Sequence, residues 1–336
     1  MKEFYSDVNI IGGGLIGSIT AYSLSRFGLS VSILEKKSAF KKKKYTDYRT
    51  TAISEGTKNF LESINIWKDI QPFSQPIKLI KVIDRKLTNN LNFDNKRRGS
   101  NLGYIVENKH LINIFYSKLN NNSKISIFNN ANISDFEIGK DKIITNAKNI
   151  KIVSNLNVAS DGKRSSVKEF FKTPHFIKNY KKTALVLTIN HTEDHHETAF
   201  EFFYKNGPLA ILPMQKNKNE YCSAIVWTNN NQYLKDLNDM NNEMLISILE
   251  DETKHCIGKI KKILSKQTFP ISAHLNSRFF ERRTIYLGDS AHSLHPIAGQ
   301  GWNLGMNAVE NFSNLVGEYT SLGIDLGDRF FCKKYH

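Results

Sequence analysis

The chain opens with an apolar run at residues 7–11 that meets the turn Gly12-Gly13-Gly14-Leu15-Ile16-Gly17 and predicts a helix reaching about residue 27. Gly28 stands where a glycine ends a helix, and residues 29–34 form a second, β-branched strand. This is a βαβ unit. Phe60, Leu61, Ile64 and Trp67 recur at helical spacing and predict one helix over 54–67, with Pro72 and Pro76 marking a boundary behind it. The middle of the chain changes character. Segments 77–84, 183–190, 198–204, 209–212 and 221–227 are rich in β-branched and aromatic residues with short polar connections, the pattern of an antiparallel sheet. Segment 237–257 predicts a single amphipathic helix and 108–119 another. Strand 150–159 leads into Asp161-Gly162, and strand 284–287 leads into Gly288-Asp289, a glycine-rich turn and a helix over 303–316. No internal repeat is visible.

At 336 residues the chain has room for about two domains, taking roughly 150 residues for each. No run of eighteen apolar residues occurs, which excludes a membrane-spanning helix, and nothing before Val8 resembles a signal-peptide leader. The net charge is +15, from 47 basic and 32 acidic residues. Its lysines are dispersed among Asn and Ile, as in Asn146 to Ile152, so composition bias is the first reading. Attraction to an anionic membrane surface comes second and nucleic acid last. The run Lys41 to Lys44 reads as a solvated loop. Cys222, Cys256 and Cys332 are too few and too far apart for a disulfide framework or a zinc site, which fits a reducing, cytoplasmic setting. His191, His195 and His196 fall in a polar connection, and no metal is expected there.

Three loops carry the chemistry. Gly12, Gly14 and Gly17 follow a strand and open a helix, and Glu35 ends the next strand. The first glycine permits a tight turn, the second lets the backbone approach a pyrophosphate, and the third lets helix and strand pack closely. The helix N-terminus offers unpaired N–H groups to the phosphates, and Glu35 can accept hydrogen bonds from ribose hydroxyls. One such motif, near the N-terminus, favours tightly held FAD over a transient nicotinamide. Asp289 follows a strand, as an acid placed to accept from a ribityl chain. The backbone amides of residues 301–304 can then face the flavin pyrimidine edge. The third loop is Asp161-Gly162-Lys163-Arg164, at a strand end.

Together these motifs resemble the class A FAD-dependent aromatic monooxygenases, the fold group of p-hydroxybenzoate hydroxylase. Within that group the stretch from His295 to Gly305, the stretch from Asp47 to Ser54, and Gly103-Tyr104-Ile105-Val106-Glu107-Asn108 are similar to the ubiquinone-biosynthesis hydroxylases. So is the segment from Gly207 to Pro213. The likeness runs from residue 8 to about residue 316. It implies an α/β fold, with a Rossmann-type FAD-binding domain over 1–75, 103–180 and 271–336. A mostly antiparallel substrate domain would be inserted over 76–102 and 181–270.

The resemblance also implies roles. Gly12, Gly14, Gly17 and Glu35 would hold the ADP half, with Arg49 near the cofactor. Asp289 would bind the ribityl or pyrophosphate portion, and Pro296, Gly299, Gly301, Asn303 and Leu304 would line the isoalloxazine. Asp161 and Arg164 would serve the dinucleotide region and the nicotinamide donor. The implied reaction uses NAD(P)H or another donor and O2 to hydroxylate a polyprenylated phenol. The implied partners are that phenol, other ubiquinone-biosynthesis proteins and the inner face of a membrane touched peripherally; nucleic acid is not among them. No general base can be named, since His292 and His295 serve equally well as turn or cap residues. Family members usually continue further beyond the segment matching 303–316, so a shortened C-terminus is expected. Another FAD-dependent hydroxylase or isoprenoid reductase on the same fold, or a non-catalytic subunit of a biosynthetic complex, stays open on sequence alone.

Overall fold

The computed structural model describes residues 2–37, 49–84, 91–95, 99–293 and 299–336. In the first sheet Thr284–Tyr286, Ile150–Ala159, Lys2–Ile11, Val31–Glu35 and Ile125–Asn129 lie side by side and parallel. Phe280–Glu281 closes one edge antiparallel, and the ribbon Ile133–Ile138 and Ile143–Ala147 hangs on Ile150–Ala159. Val8, Ile10, Ile33 and Val158 are fully or almost fully buried, as expected of parallel strands covered on both faces. Helices Leu15–Ser25, Asn108–Asn120 and Gln300–Ser321 bury Leu24, Phe115 and Val309 in the same core. A polar network is enclosed within this sheet. The Asn9 amide donates to Thr145 Oγ1 at 3.1 Å and Asn157 Oδ1 at 3.0 Å, and the Asn157 amide donates to Thr145 Oγ1 at 2.9 Å. A one-residue slip would leave these buried groups unpaired, so the network holds the register of three strands.

The second sheet is built on two seventeen-residue strands, His175–His191 and Ile260–Asn276, followed outward by Glu220–Asn230, Gly207–Asn217, Thr198–Tyr204, Leu79–Asp84 and Leu91–Asp94. All its pairs are antiparallel except Leu79–Asp84 with Thr198–Tyr204. One face buries Leu185, Leu187, Phe202 and Trp227 against helices Asn231–Asp239 and Asn242–Thr253. The far end of Ile260–Asn276 pairs with His292–Ser293, directly after the Gly288-Asp289 turn. A third sheet, Thr50–Ser54, Gly103–Glu107 and Ser74–Ile77, shares a small apolar cluster with the second: Ile77 and Ile105 meet Ala199, Met214 and Ala224.

Several expected elements differ. The helix expected over 237–257 is two helices. Met240 is extended, and Asn241 caps the second helix by accepting from the Met244 N–H at 2.8 Å. The helix expected over 54–67 stops at Ser63, because Asn65 adopts a left-handed φ of 59°, and a short helix restarts at Trp67. Strand 183–190 begins at His175, and the late helix starts at Gln300. The strand Ile260–Asn276 had no expectation. Its lysines and Pro270 obscure the apolar alternation.

The chain's last helix, Arg329–Tyr335, buries Phe331 and Cys332 beside Phe312, and the Tyr335 hydroxyl donates to the Tyr286 carbonyl at 3.3 Å. It thereby braces the strand that delivers Asp289. Among the described residues no helix is long and apolar enough to cross a membrane, and no group of His, Cys, Asp or Glu could hold a metal ion.

Candidate active site

The three motif loops meet at the carboxyl ends of three adjacent parallel strands, where open α/β sheets bind their ligands. Ser160 joins two of them: its N–H donates to the Ile11 carbonyl at 2.8 Å and its hydroxyl to the Gly12 carbonyl at 2.8 Å. The Ser290 hydroxyl joins the third, donating to the Ala159 carbonyl at 2.6 Å.

The glycines divide by what a side chain would meet. A Cβ on Gly12, whose φ is +99°, would lie 2.6 Å from the Ser160 carbonyl oxygen. On Gly17 it would lie 1.9 Å from the Gly12 carbonyl oxygen. On Gly14 it would meet nothing within 4 Å. The first and third glycines are thus required by the protein, whereas the second faces free space. No side chain caps helix Leu15–Ser25, so its first N–H groups face that space unpaired. Glu35 accepts from the Gly13 N–H at 2.7 Å and the Lys37 N–H at 2.8 Å, one on each oxygen. Each oxygen keeps a further lone pair for a ribose hydroxyl.

The late turn repeats this arrangement. Gly299 is left-handed (φ +65°), and a Cβ there would meet the Ala52 Cβ at 2.8 Å, whereas one on Gly301 would meet nothing within 4 Å. The 22-residue helix Gln300–Ser321 starts without a side-chain cap, so that among the described residues its first N–H groups and the positive end of its dipole are open. Ile16 fits between Gly288 and Gly305, where a Cβ on either would approach it to 3.0 and 2.9 Å, and this clamps the two helix starts together. Asp289 is surrounded by protein on most sides, and its exposed surface faces the cavity. Burial raises its pKa against the opposing pull of His292, Lys163 and Arg49. A row of ribityl hydroxyls donating to it would hold it ionised.

Asn303 is a brace. Its amide oxygen accepts from the Ser54 N–H at 2.9 Å and the Thr57 hydroxyl at 2.9 Å, and its amide nitrogen donates to the Ala52 carbonyl at 2.8 Å and the Gly299 carbonyl at 3.1 Å. This fixes the left-handed turn against strand Thr50–Ser54. Asn303→Ala should lower unfolding stability by about 2–4 kcal/mol, read as a lower urea midpoint, since four partners lose their hydrogen bonds. Leu304 is partly exposed on the same first turn. Pro296 and His295 lie outside the described residues, as do Lys41 to Lys44 and the Asp47-Tyr48 part of the fingerprint before Arg49.

Arg49 reaches the same cavity with its guanidinium 5.5 Å from the Phe269 ring centre. Asp161 accepts from the Ser166 N–H at 2.8 Å, while its Oδ1 is buried without a partner and burial raises its pKa. That orphaned oxygen next to Gly12 suits a hydroxyl or N–H donor from a ligand. Arg164 is exposed on the turn and does not line the cavity; its neighbour Lys163 does, donating to the Ser272 carbonyl at 2.8 Å. Burial lowers the pKa of Lys163, with Asp289 pulling it back up. Burial lowers the pKa of His292 against the pull of Asp289, and its Nδ1 is buried without a partner among the described residues.

The cavity holds about 420 Å³, within the usual range for small-molecule sites of roughly 300–1,000 Å³. Arg49, Lys163, Asp289, Gly299 and Gly301 form one wall. The second sheet contributes the rest of the lining from its helix-free face: Ala184, Val186, Ala210, Val226 and, among these apolar residues, Glu201. Of the charged lining residues, sequence reading missed Lys163 and Glu201, along with the apolar residues of the second sheet. A lone charge within Thr198–Tyr204, otherwise apolar and aromatic, was the available signal for Glu201.

The residues present fit FAD. The open Gly14 and the uncapped start of helix Leu15–Ser25 match a pyrophosphate, and the cavity-lining Asp289, Gly299 and Gly301 match ribityl hydroxyls and an electron-poor ring edge. Comparison with known proteins agrees. The chain matches the FAD binding domain family over residues 5–319. It is 30% identical to the ubiquinone hydroxylase UbiL of Rhodospirillum rubrum, over 96% of this chain and 75% of that protein. It is 23% identical to the 3-demethoxyubiquinol 3-hydroxylase of Escherichia coli, over 95% of this chain and 81% of that one. The crystal structure of Pseudomonas aeruginosa PqsL in complex with 2-aminobenzoylacetate shares the fold, with a TM-score of 0.83 at 18% identity, covering 99% of this chain and 91% of that one. The chain therefore belongs to the FAD-dependent aromatic monooxygenases, in the branch of the ubiquinone-biosynthesis hydroxylases, and its cofactor is FAD.

Proposed function

We propose that this protein hydroxylates the aromatic ring of a polyprenylated phenol in ubiquinone biosynthesis, using O2 and NAD(P)H. The observation that carries the reading is the two-sided cavity: one wall is built from the FAD-binding turns and the other from an apolar sheet face. Bound FAD supplies the two-electron chemistry by which a reduced flavin activates O2. The protein's own residues do the rest. Uncapped N–H groups at Gly301 and Trp302 can stabilise negative charge at the ring edge, and Asp289 anchors the ribityl chain. Ala184, Val186, Ala210 and Val226 give a planar ring an apolar floor and exclude water from it. The chain's +15 charge favours approach to an anionic membrane surface, where a long isoprenoid substrate resides.

Purified, FAD-loaded protein given NAD(P)H, a short-chain polyprenylphenol and isotope-labelled O2 should yield a phenol carrying one labelled oxygen. NAD(P)H oxidation that ends wholly in hydrogen peroxide, with no labelled ring product, would reject the hydroxylase reading. Quinone-intermediate profiling in a deletion strain then identifies the ring position.

A further inference from the structure

Glu201 sits in the middle of strand Thr198–Tyr204, and its row across the sheet can be read from the pairing. Glu201 lies opposite Val82 on one side and Ala210 on the other; Ala210 lies opposite Val226, and Val226 opposite Val186. The row is thus Val82, Glu201, Ala210, Val226, Val186, with the carboxylate as its one polar member. Its side chain makes no hydrogen bond or ion pair among the described residues, yet it lines the cavity. A carboxylate in that position is a costly feature for an apolar floor unless a ligand completes it. A phenol ring lying on Ala210 and Val226 must likewise place its hydroxyl against an acceptor. The other acid lining the cavity, Asp289, belongs to the FAD side.

We infer that Glu201 receives the hydroxyl of the phenol substrate and takes its proton. The inference rests on the hydroxylase reading above and adds the missing acid–base residue to it. In the step, the phenol O–H bond breaks and the proton passes to a Glu201 carboxylate oxygen. The bonding pair stays on the phenol oxygen and delocalises onto the ortho and para ring carbons, making them nucleophilic. No oxidant is consumed, and the transfer is reversible.

The charges around Glu201 leave this role open to it. Arg49, Lys163 and Asp289 are the other charged residues lining its cavity, and the first two rest against Phe269 and Ser272 of the same sheet. On its own sheet face, Asp84 stands two pairs further along, opposite Phe203, and Cys222 lies further across with its thiol pushed up to about 12. Lys81, paired with Phe200, faces away with its ammonium over that ring. Burial alone raises the Glu201 carboxyl, to about 7. The group is therefore protonated below neutrality and an ionised acceptor above it, close to the optimum for general-base work at physiological pH.

The test uses FAD-loaded, oxidised protein titrated with an ortho-prenylphenol of one isoprene unit, followed by perturbation of the flavin absorbance. In the native protein, affinity should rise up to about tenfold per pH unit below 7, then level off until the phenol itself ionises near pH 10. E201Q, which keeps the shape and removes the titration, should bind with flat pH dependence and hydroxylate about 10²–10⁴-fold more slowly. E201D should restore part of the pH dependence. Flavin content and circular dichroism confirm that each variant is folded. An E201Q protein whose affinity and rate follow the native pH profile overturns the assignment while leaving the hydroxylase reading intact. Native protein that neither binds nor hydroxylates the prenylphenol overturns both.

Discussion

Gly14→Val is expected to purify as a folded, colourless protein, and Gly17→Ala is expected not to fold stably. The two glycines are three residues apart in one motif, but their surroundings are opposite. A Cβ at Gly14 meets no protein atom within 4 Å, and this residue already has extended φ and ψ of −66° and −172°, which valine adopts readily. The valine side chain would project into the space beside the uncapped helix start and displace the pyrophosphate from its N–H donors. FAD affinity should fall by more than about a hundredfold, the equivalent of roughly 3 kcal/mol, while thermal stability of the flavin-free protein stays within about 1 kcal/mol of the parent. At Gly17 a Cβ would stand 1.9 Å from the Gly12 carbonyl oxygen, and backbone cannot yield as a flexible side chain can. Separating the helix from the strand end would break the hydrogen bonds of Ser160 to Ile11 and Gly12 as well. Calorimetry of the flavin-free proteins and flavin released on denaturation check both expectations. A yellow Gly14→Val protein at full stoichiometry would show that the phosphates do not lie against this turn.

How much of this was legible beforehand follows from what each residue depends on. Gly12, Gly17, Gly288 and Asp289 depend on local backbone geometry at a strand end, and a motif of a few residues specifies that. Glu201 depends on which face of a strand turns inward. That is decided by pairing with Val82 and Ala210, more than a hundred residues away in one case and nine in the other. The same holds for Lys163 against Arg164: adjacent residues point in different directions, and only the packed turn shows that Lys163 reaches Ser272 and the cavity. The Asn9, Thr145 and Asn157 network is hidden for the same reason, since its members come together only when three strands register. The strand Ile260–Asn276 escaped because Lys261, Lys262 and Lys266 interrupt its apolar positions, and its length is set by its neighbour, His175–His191. Asn303 reads as a cofactor contact by its position in the late motif, whereas its amide is committed on both sides to the protein.

Asp289→Ala and Gly301→Val should damage the same turn in different ways. Asp289 offers the cavity a carboxylate, and in the proposed reading it anchors the ribityl chain alike in every redox state, so its loss should weaken FAD binding by about 1–3 kcal/mol. Molecules that retain flavin should then keep a near-normal reduction potential. In the proposed reading Gly301 acts at the ring edge. Its Cβ position is empty to 4 Å, and the residue occupies the first turn of a 22-residue helix, so replacing the glycine removes a helix-disfavouring residue without any clash in the protein. Among the described residues nothing imposes a tight-turn requirement at Gly301, in contrast to Gly299, whose left-handed φ and 2.8 Å approach to Ala52 make it intolerant. Flavin-free Gly301→Val should be about as stable as the parent. In the flavin-loaded fraction the β-branched side chain would hold the ring away from the unpaired N–H groups and the helix dipole, which favour negative charge on the reduced ring. The reduction potential should therefore fall, and more of the NAD(P)H consumed should end as hydrogen peroxide. Potentiometry and peroxide yield on flavin-loaded Asp289→Ala and Gly301→Val separate the two effects, and equal, unshifted potentials in both would remove the electrostatic role of the helix start.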